Sequence, residues 1–149
     1  MYKLRMNEGH KDVVMGIDNV VYNWDHIMRR HFALNKAYSL KFVELKNSVE
    51  SSFYGEEYFV KGLIVQAVTL SKDQVLNMTD VGETCVLTVP LPSCDWVWGI
   101  IYSARYEDAH SRTCASFSVV VERQDDNLLF VKTAYPVRHK VDGLEIIVQ

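Results

Sequence analysis

Between residues 11 and 34, apolar side chains recur at three- and four-residue steps: Val13, Val14, Ile17, Val20, Val21, Trp24, Ile27, Met28 and Phe32. Asp12, Asn19, Asn23, Asp25 and Arg29 fall largely on the other side. This spacing predicts an amphipathic helix. Residues 37–50 are a second helix candidate, with Leu40, Val43 and the stem of Lys46 inward. Tyr54-Gly55 punctuates the chain. Over 56–70, Tyr58, Phe59, Leu63, Ile64, Ala67 and Val68 favour a helix, although the β-branched content leaves a strand open. Ser71-Lys72-Asp73-Gln74 has the residue types to cap one more short helix.

From residue 83 the pattern changes. Thr84-Cys85-Val86-Leu87-Thr88-Val89 reads as a strand ending at Pro90. Residues 96–106 read as a long second strand, whose alternation puts Trp96, Trp98 and Tyr102 on one face. Residues 114–123 and 128–135 read as a hairpin around Gln124-Asp125-Asp126-Asn127. Residues 144–148 add an edge strand. Helices first and strands afterwards predict an α+β fold, with N-terminal helices packed on one face of a four- to five-stranded antiparallel sheet. The opposite face is then available to a ligand or a partner.

The length of 149 residues predicts a single domain over 1–149. A hydrophobic share of 48% with 23% charged residues is ordinary for a globular domain. The net charge of −3 argues against a protein that coats nucleic acid, while leaving room for a local basic site. Cys85, Cys94 and Cys114 lack Cys-x-x-Cys spacing and read as buried, reduced thiols of a cytoplasmic protein. A zinc site of Cys94, His110 and Cys114 would lack the usual tight ligand pairs. The first residues have no apolar signal-peptide core. No apolar run approaches the ~20 residues of a membrane span. No metal, cofactor or membrane is expected, and the oligomeric state is left open.

No phosphate loop, dinucleotide fingerprint or nucleophile elbow occurs. The chemistry therefore falls to scattered groups. His10 precedes the first helix in Glu8-Gly9-His10-Lys11-Asp12, as a solvated residue or a positioned acid or base. His26 and His31 are five apart, which argues against a helical metal pair. Arg29-Arg30-His31 is a basic patch that would either complement a helix dipole or contact phosphate. His110 and Arg112 lie in a polar stretch between strands. In the second hairpin strand, alternation sets Thr133 and Tyr135 on one face with Val131 and Leu129, and Lys132 and Ala134 on the other. Pro136 stops the strand, and Arg138, His139 and Lys140 follow. Hydroxyls and cations in one short stretch suit a phosphodiester; the plainer reading is a strand edge with a half-buried tyrosine.

Leu129-Phe130-Val131-Lys132-Thr133-Ala134-Tyr135-Pro136 resembles the closing strand of toxin and phage members of the barnase–EndoU–colicin–RelE-like ribonuclease superfamily, where an apolar run leads into Thr-x-Tyr-Pro. Gly9-His10-Lys11-Asp12-Val13-Val14 is similar to the opening of some members. The resemblance implies metal-independent RNA cleavage. A base takes the ribose 2′-hydroxyl proton, the oxygen attacks phosphorus, and an acid protonates the leaving 5′-oxygen. It implies Thr133 as a phosphate donor, Tyr135 as a positioning or proton-transfer group and His10 as the base. Lys132, Arg112, Arg138 and His139 are chemically suited to substrate binding. The expected function is a toxin or mobile-element endoribonuclease with RNA as partner. The alternatives are a non-catalytic inhibitor or immunity protein, favoured by 11% aromatic residues, and a structural domain that dimerises through helix 11–34.

Overall fold

In the computed structural model the described residues are 19–31, 51–55, 57–92, 97–101 and 114–149. They form an α+β fold. Strand β1 is Val20–Tyr22, helix α1 Trp24–His31, strand β2 Ser51–Gly55, and helix α2 Glu57–Met78. Strands β3 Thr84–Pro90, β4 Val97–Ile101, β5 Ser116–Arg123, β6 Leu129–Val137 and β7 Glu145–Val148 follow.

The long helix predicted over 11–34 is divided where it is described. Val20, Val21 and Tyr22 pair with Leu129, Phe130 and Val131 as a parallel strand. Three consecutive β-branched or aromatic residues, all buried, suit a strand covered on both faces. Asn19 sits at φ 53°, a left-handed conformation that asparagine tolerates. It turns the chain into β1, and its carbonyl accepts from the Leu129 N–H at 3.2 Å. Asn23 then starts the helix: its Oδ1 accepts from the His26 N–H at 3.3 Å, the geometry of an N-cap. Residues 11–18 and the helix expected over 37–50 lie outside the described residues.

The five-stranded sheet runs β1-β6-β5-β3-β7. Its β6-β5-β3-β7 part is antiparallel as expected. The β1–β6 pair is parallel, so the sheet is mixed and the all-antiparallel expectation is corrected. The 96–106 strand does not join it. Its described part, β4, pairs antiparallel with β2 as a separate two-stranded ribbon. β2 falls where the sequence offers only the punctuation at Tyr54-Gly55.

The helix expected over 56–70 and the short one after it are one helix. No proline interrupts Glu57–Met78, and Val60, Ile64, Ala67, Val68, Ser71 and Val75 bury one face of it. Ser71 does not cap a new helix; its hydroxyl donates to the Ala67 carbonyl at 2.6 Å. The buried face of α2 joins Trp24 and Ile27 of α1, Phe53 of β2, Cys85 and Leu87 of β3, Phe117, Val119 and Val121 of β5, and Leu129, Val131 and Ala134 of β6 in one core. Full burial of each of its Val, Leu, Ile and Phe side chains contributes about 1.5–3 kcal/mol. Lys61 lies 5.1 Å over the Trp24 ring, which itself stacks on Tyr22 at 4.9 Å. That contact ties α2 to the β1–α1 corner.

Cys85 and Cys114 are buried free thiols, and burial pushes the Cys85 thiol up to about 11. Cys94 and His110 lie outside the described residues.

The turn between α2 and β3 depends on Gly82, at φ 95°. Its N–H donates to the Arg123 carbonyl at 2.7 Å. A β-carbon there would meet open space, so Gly82→Ala costs backbone strain alone, about 1 kcal/mol. A lowered urea midpoint with unchanged slope is the expected result; an unchanged midpoint contradicts it.

Candidate functional site

The hairpin that carries the predicted site forms, but a bulge resets its faces. Val120 pairs with Thr133, and its neighbour Val121 pairs with Val131. Lys132 is the extra residue, and the alternation shifts phase there. Leu129 and Val131 therefore share the core face with Ala134, not with Thr133. Thr133 and Tyr135 point to the opposite face, paired with Val120 and Ser118. A simple period of two cannot anticipate this change.

Pro136 does not stop the strand, which runs to Val137. In this register Thr133, Tyr135 and Val137 aim their backbone groups at β5. Pro136 therefore lacks its N–H on the outer edge, where nothing in the ladder needs one.

That outer edge is where α1 enters. β1 covers β6 only from Leu129 to Val131. The Asn23 N–H donates to the Val131 carbonyl at 3.0 Å, and the chain continues as α1 beside the rest of β6. Trp24 and Ile27 bury the inner side of the helix. Asp25 and Arg29 pair at 3.0 Å on its outer side. Arg29, Arg30 and His31 form its last turn.

This geometry brings His31 to Tyr135. Their ring centroids are 5.6 Å apart, tilted by 40°. The His26 ring meets His31 edge-on at 5.5 Å, although the two residues are five apart in sequence. Thr133, two residues before Tyr135 on the same face, has a buried Oγ1 with no hydrogen-bond partner. A buried hydroxyl without a partner costs about 1–3 kcal/mol. Two imidazoles and a phenol thus meet between α1 and the end of β6, with the Thr133 hydroxyl buried beneath the same face of the strand. Imidazole can accept or donate a proton near neutrality, and hydroxyls can donate to anionic oxygens.

The predicted cations divide. Lys132 Nζ is held 3.2 Å from Glu122 Oε2, so its charge is largely answered within the hairpin. Arg138, His139 and Lys140 are exposed on the turn that follows β6. Burial raises the Cys114 thiol pKa, and the nearby positive charge of Arg138 lowers it in part. The chain then crosses the end of the sheet, where the Val141 N–H donates to Ser116 Oγ at 3.1 Å. His10 and Arg112 lie outside the described residues. Among the described residues, no three His, Cys, Asp or Glu side chains are grouped to hold a metal ion.

The sequence pattern marks Arg29-Arg30-His31 as a helix-end patch, with phosphate contact as the other reading, and does not itself place His31 beside Tyr135. The link to Tyr135 depends on the parallel β1–β6 pairing, more than a hundred positions apart in the chain, and no local pattern encodes that.

Compared with known proteins, the chain matches no family model, no curated protein and no solved structure.

Proposed function

We propose that this chain is a metal-independent endoribonuclease of toxin or mobile-element type, acting at the rim between α1 and β6. The observation that carries the reading is the contact between His31 and Tyr135, beside the unpartnered Thr133 hydroxyl. RNA cleavage without metal needs a base, an acid and donors to the phosphate. His31 takes the 2′-hydroxyl proton. The 2′-oxygen attacks the adjacent phosphorus, the bond to the 5′-oxygen breaks, and that oxygen leaves protonated. Tyr135 orients the phosphate or supplies the proton; Thr133 is the phosphate donor that the resemblance implies, and its buried Oγ1 would have to be uncovered to reach a phosphate oxygen. Arg138 supplies local positive charge to an otherwise acidic chain, and His139 beside it adds a hydrogen-bonding group for substrate. His10, nominated by sequence resemblance, is the competing base. The reading includes a cytoplasmic setting; among the described residues no helix is long and apolar enough to cross a membrane.

Incubation of the purified chain with total RNA in excess EDTA tests this. The expected result is fragmentation that persists without divalent metal. Intact RNA after prolonged incubation would refute it.

A second reading, a non-catalytic inhibitor or immunity protein, draws on α2. There Tyr58 is 81% and Leu70 74% exposed, with Phe59 packed edge-on against Tyr58. Aromatic groups displayed in this way suit interface anchors. Capture of one stoichiometric protein partner, lost on Tyr58→Ala with RNA cleavage absent, is the outcome that would favour it.

A further inference from the structure

The two edges of the five-stranded sheet are unlike. At one edge the β1 residues Val20, Val21 and Tyr22 are 3%, 1% and 2% exposed. At the other, among the described residues, β7 pairs with β3 on one side only, and Ile147 is 59% and Leu144 41% exposed. Natural edges are usually blunted by lysine, proline, a bulge or a covering segment. β7 reads Glu145-Ile146-Ile147-Val148, and its register with β3 is continuous.

The hydrogen-bonding parity of β7 is fixed. The Gln149 N–H donates to the Thr84 carbonyl at 2.8 Å, so residues 145, 147 and 149 aim their backbone groups at β3. Those of Ile146 and Val148 aim away from the sheet. The open edge thus offers two N–H and C=O pairs in a row.

We propose that this edge is an interface at which a second copy of the chain adds its own β7, antiparallel, about a two-fold axis through Ile147. This assignment does not depend on the ribonuclease reading. In that register Ile146 of one copy and Val148 of the other exchange both outward hydrogen bonds, twice over. Ile147 meets its own symmetry mate at a non-hydrogen-bonded position, where side chains lie closest. On the core face, the half-buried Ile146 and Val148 of the two copies cover one another. Side-chain character favours this register. Glu145 falls opposite the uncharged side chain of Gln149 in the second copy, whereas an axis through Ile146 would set the Glu145 carboxylate against the apolar, exposed Ile147. The interface is isologous and closes on itself, giving a dimer with a ten-stranded sheet and not a fibre. A four-residue edge buries much less than the ~800 Å² per partner of a standard interface, so pairing is weak and concentration-dependent.

Sedimentation equilibrium of the intact chain over micromolar to near-millimolar concentration tests this. The expected result is a reversible rise towards twice the single-chain mass. Ile147→Lys, which sets like charges at the axis, abolishes the rise and leaves the thermal midpoint unchanged. Val148→Pro removes an outward N–H that β3 does not use and also abolishes the rise, with some loss of the packing that Val148 makes against the core. Ile147→Cys also reports on register: the paired positions lie ~4.5 Å apart between α-carbons, within disulfide reach. Mild oxidation therefore cross-links Ile147→Cys and not Glu145→Cys, with the native chain as background. A single-chain mass at every concentration would overturn the proposal, as would equal cross-linking at the two positions.

Discussion

Replacing Arg123 with methionine lowers stability by about 2–4 kcal/mol, a large effect for a partly exposed side chain. The guanidinium donates to four main-chain carbonyls. Nη1 bonds Leu76 at 2.9 Å and also Thr79, Nη2 bonds Asp126 at 3.0 Å, and Nε bonds Asp125 at 3.3 Å. Leu76 and Thr79 belong to the end of α2, where helix carbonyls lack intrahelical donors. Asp125 and Asp126 belong to the β5–β6 turn. The same residue's backbone holds the α2–β3 turn, with the Arg123 N–H donating to Glu83 at 2.9 Å and its carbonyl accepting from Gly82 at 2.7 Å. One side chain thus ties the helix to the hairpin that carries Thr133 and Tyr135, and places a cation at the negative end of the helix dipole. Methionine retains much of the stem packing but leaves these carbonyls short of donors. Arg123→Lys recovers less than half of the loss, because one ammonium cannot span both groups of carbonyls. Urea unfolding reads the difference directly; a loss below about 1 kcal/mol would contradict this role.

On the proposed ribonuclease reading, His31→Ala is expected to lower the rate of RNA cleavage by about 10²–10⁴-fold, the size expected for removing a general base. Folding is preserved, because His31 is only half-buried at the end of α1. Tyr135→Phe keeps the ring against His31 and removes the hydroxyl, so it separates ring packing from hydroxyl chemistry. A loss as large as that of His31→Ala assigns proton transfer to the phenol; a loss of about tenfold or less leaves it a positioning role. Thr133→Val gives the most diagnostic pairing of effects. Its Oγ1 is buried without a partner, so the isosteric valine raises stability by about 1 kcal/mol while cleavage falls. Improved stability with unchanged cleavage would remove Thr133 from the site.

The fold class and the hairpin were legible because both rest on local pattern. Apolar alternation and the Gln124–Asn127 turn locate β5 and β6, and the buried positions of α2 follow a helical period. What local pattern could not carry was pairing between distant segments. Val20-Val21-Tyr22 fits a helical period as well as a strand, and only the exposed edge of β6 decides between them. β2 lacks any apolar run, and its strand form depends on β4. The bulge at Lys132 moves Thr133 and Tyr135 off the face that alternation assigns them. For the site, the Thr133–Tyr135 pair was legible as a hydroxyl platform. Its imidazole was not, because His31 reaches Tyr135 only through the turn at Asn19 and the cap at Asn23. Trp96, Tyr102, His10 and Arg112 lie outside the described residues.

If His31 and Tyr135 act together on one phosphodiester, cleavage of a short, defined RNA in excess EDTA by the native chain, His31→Ala and His10→Ala, with the chemistry of both new ends determined, will show it. Expected are a 2′,3′-cyclic phosphate and a 5′-hydroxyl from the native chain, near-complete loss with His31→Ala, and retained cleavage with His10→Ala. Cleavage by His31→Ala at the native rate, or no cleavage by the native chain, would contradict it.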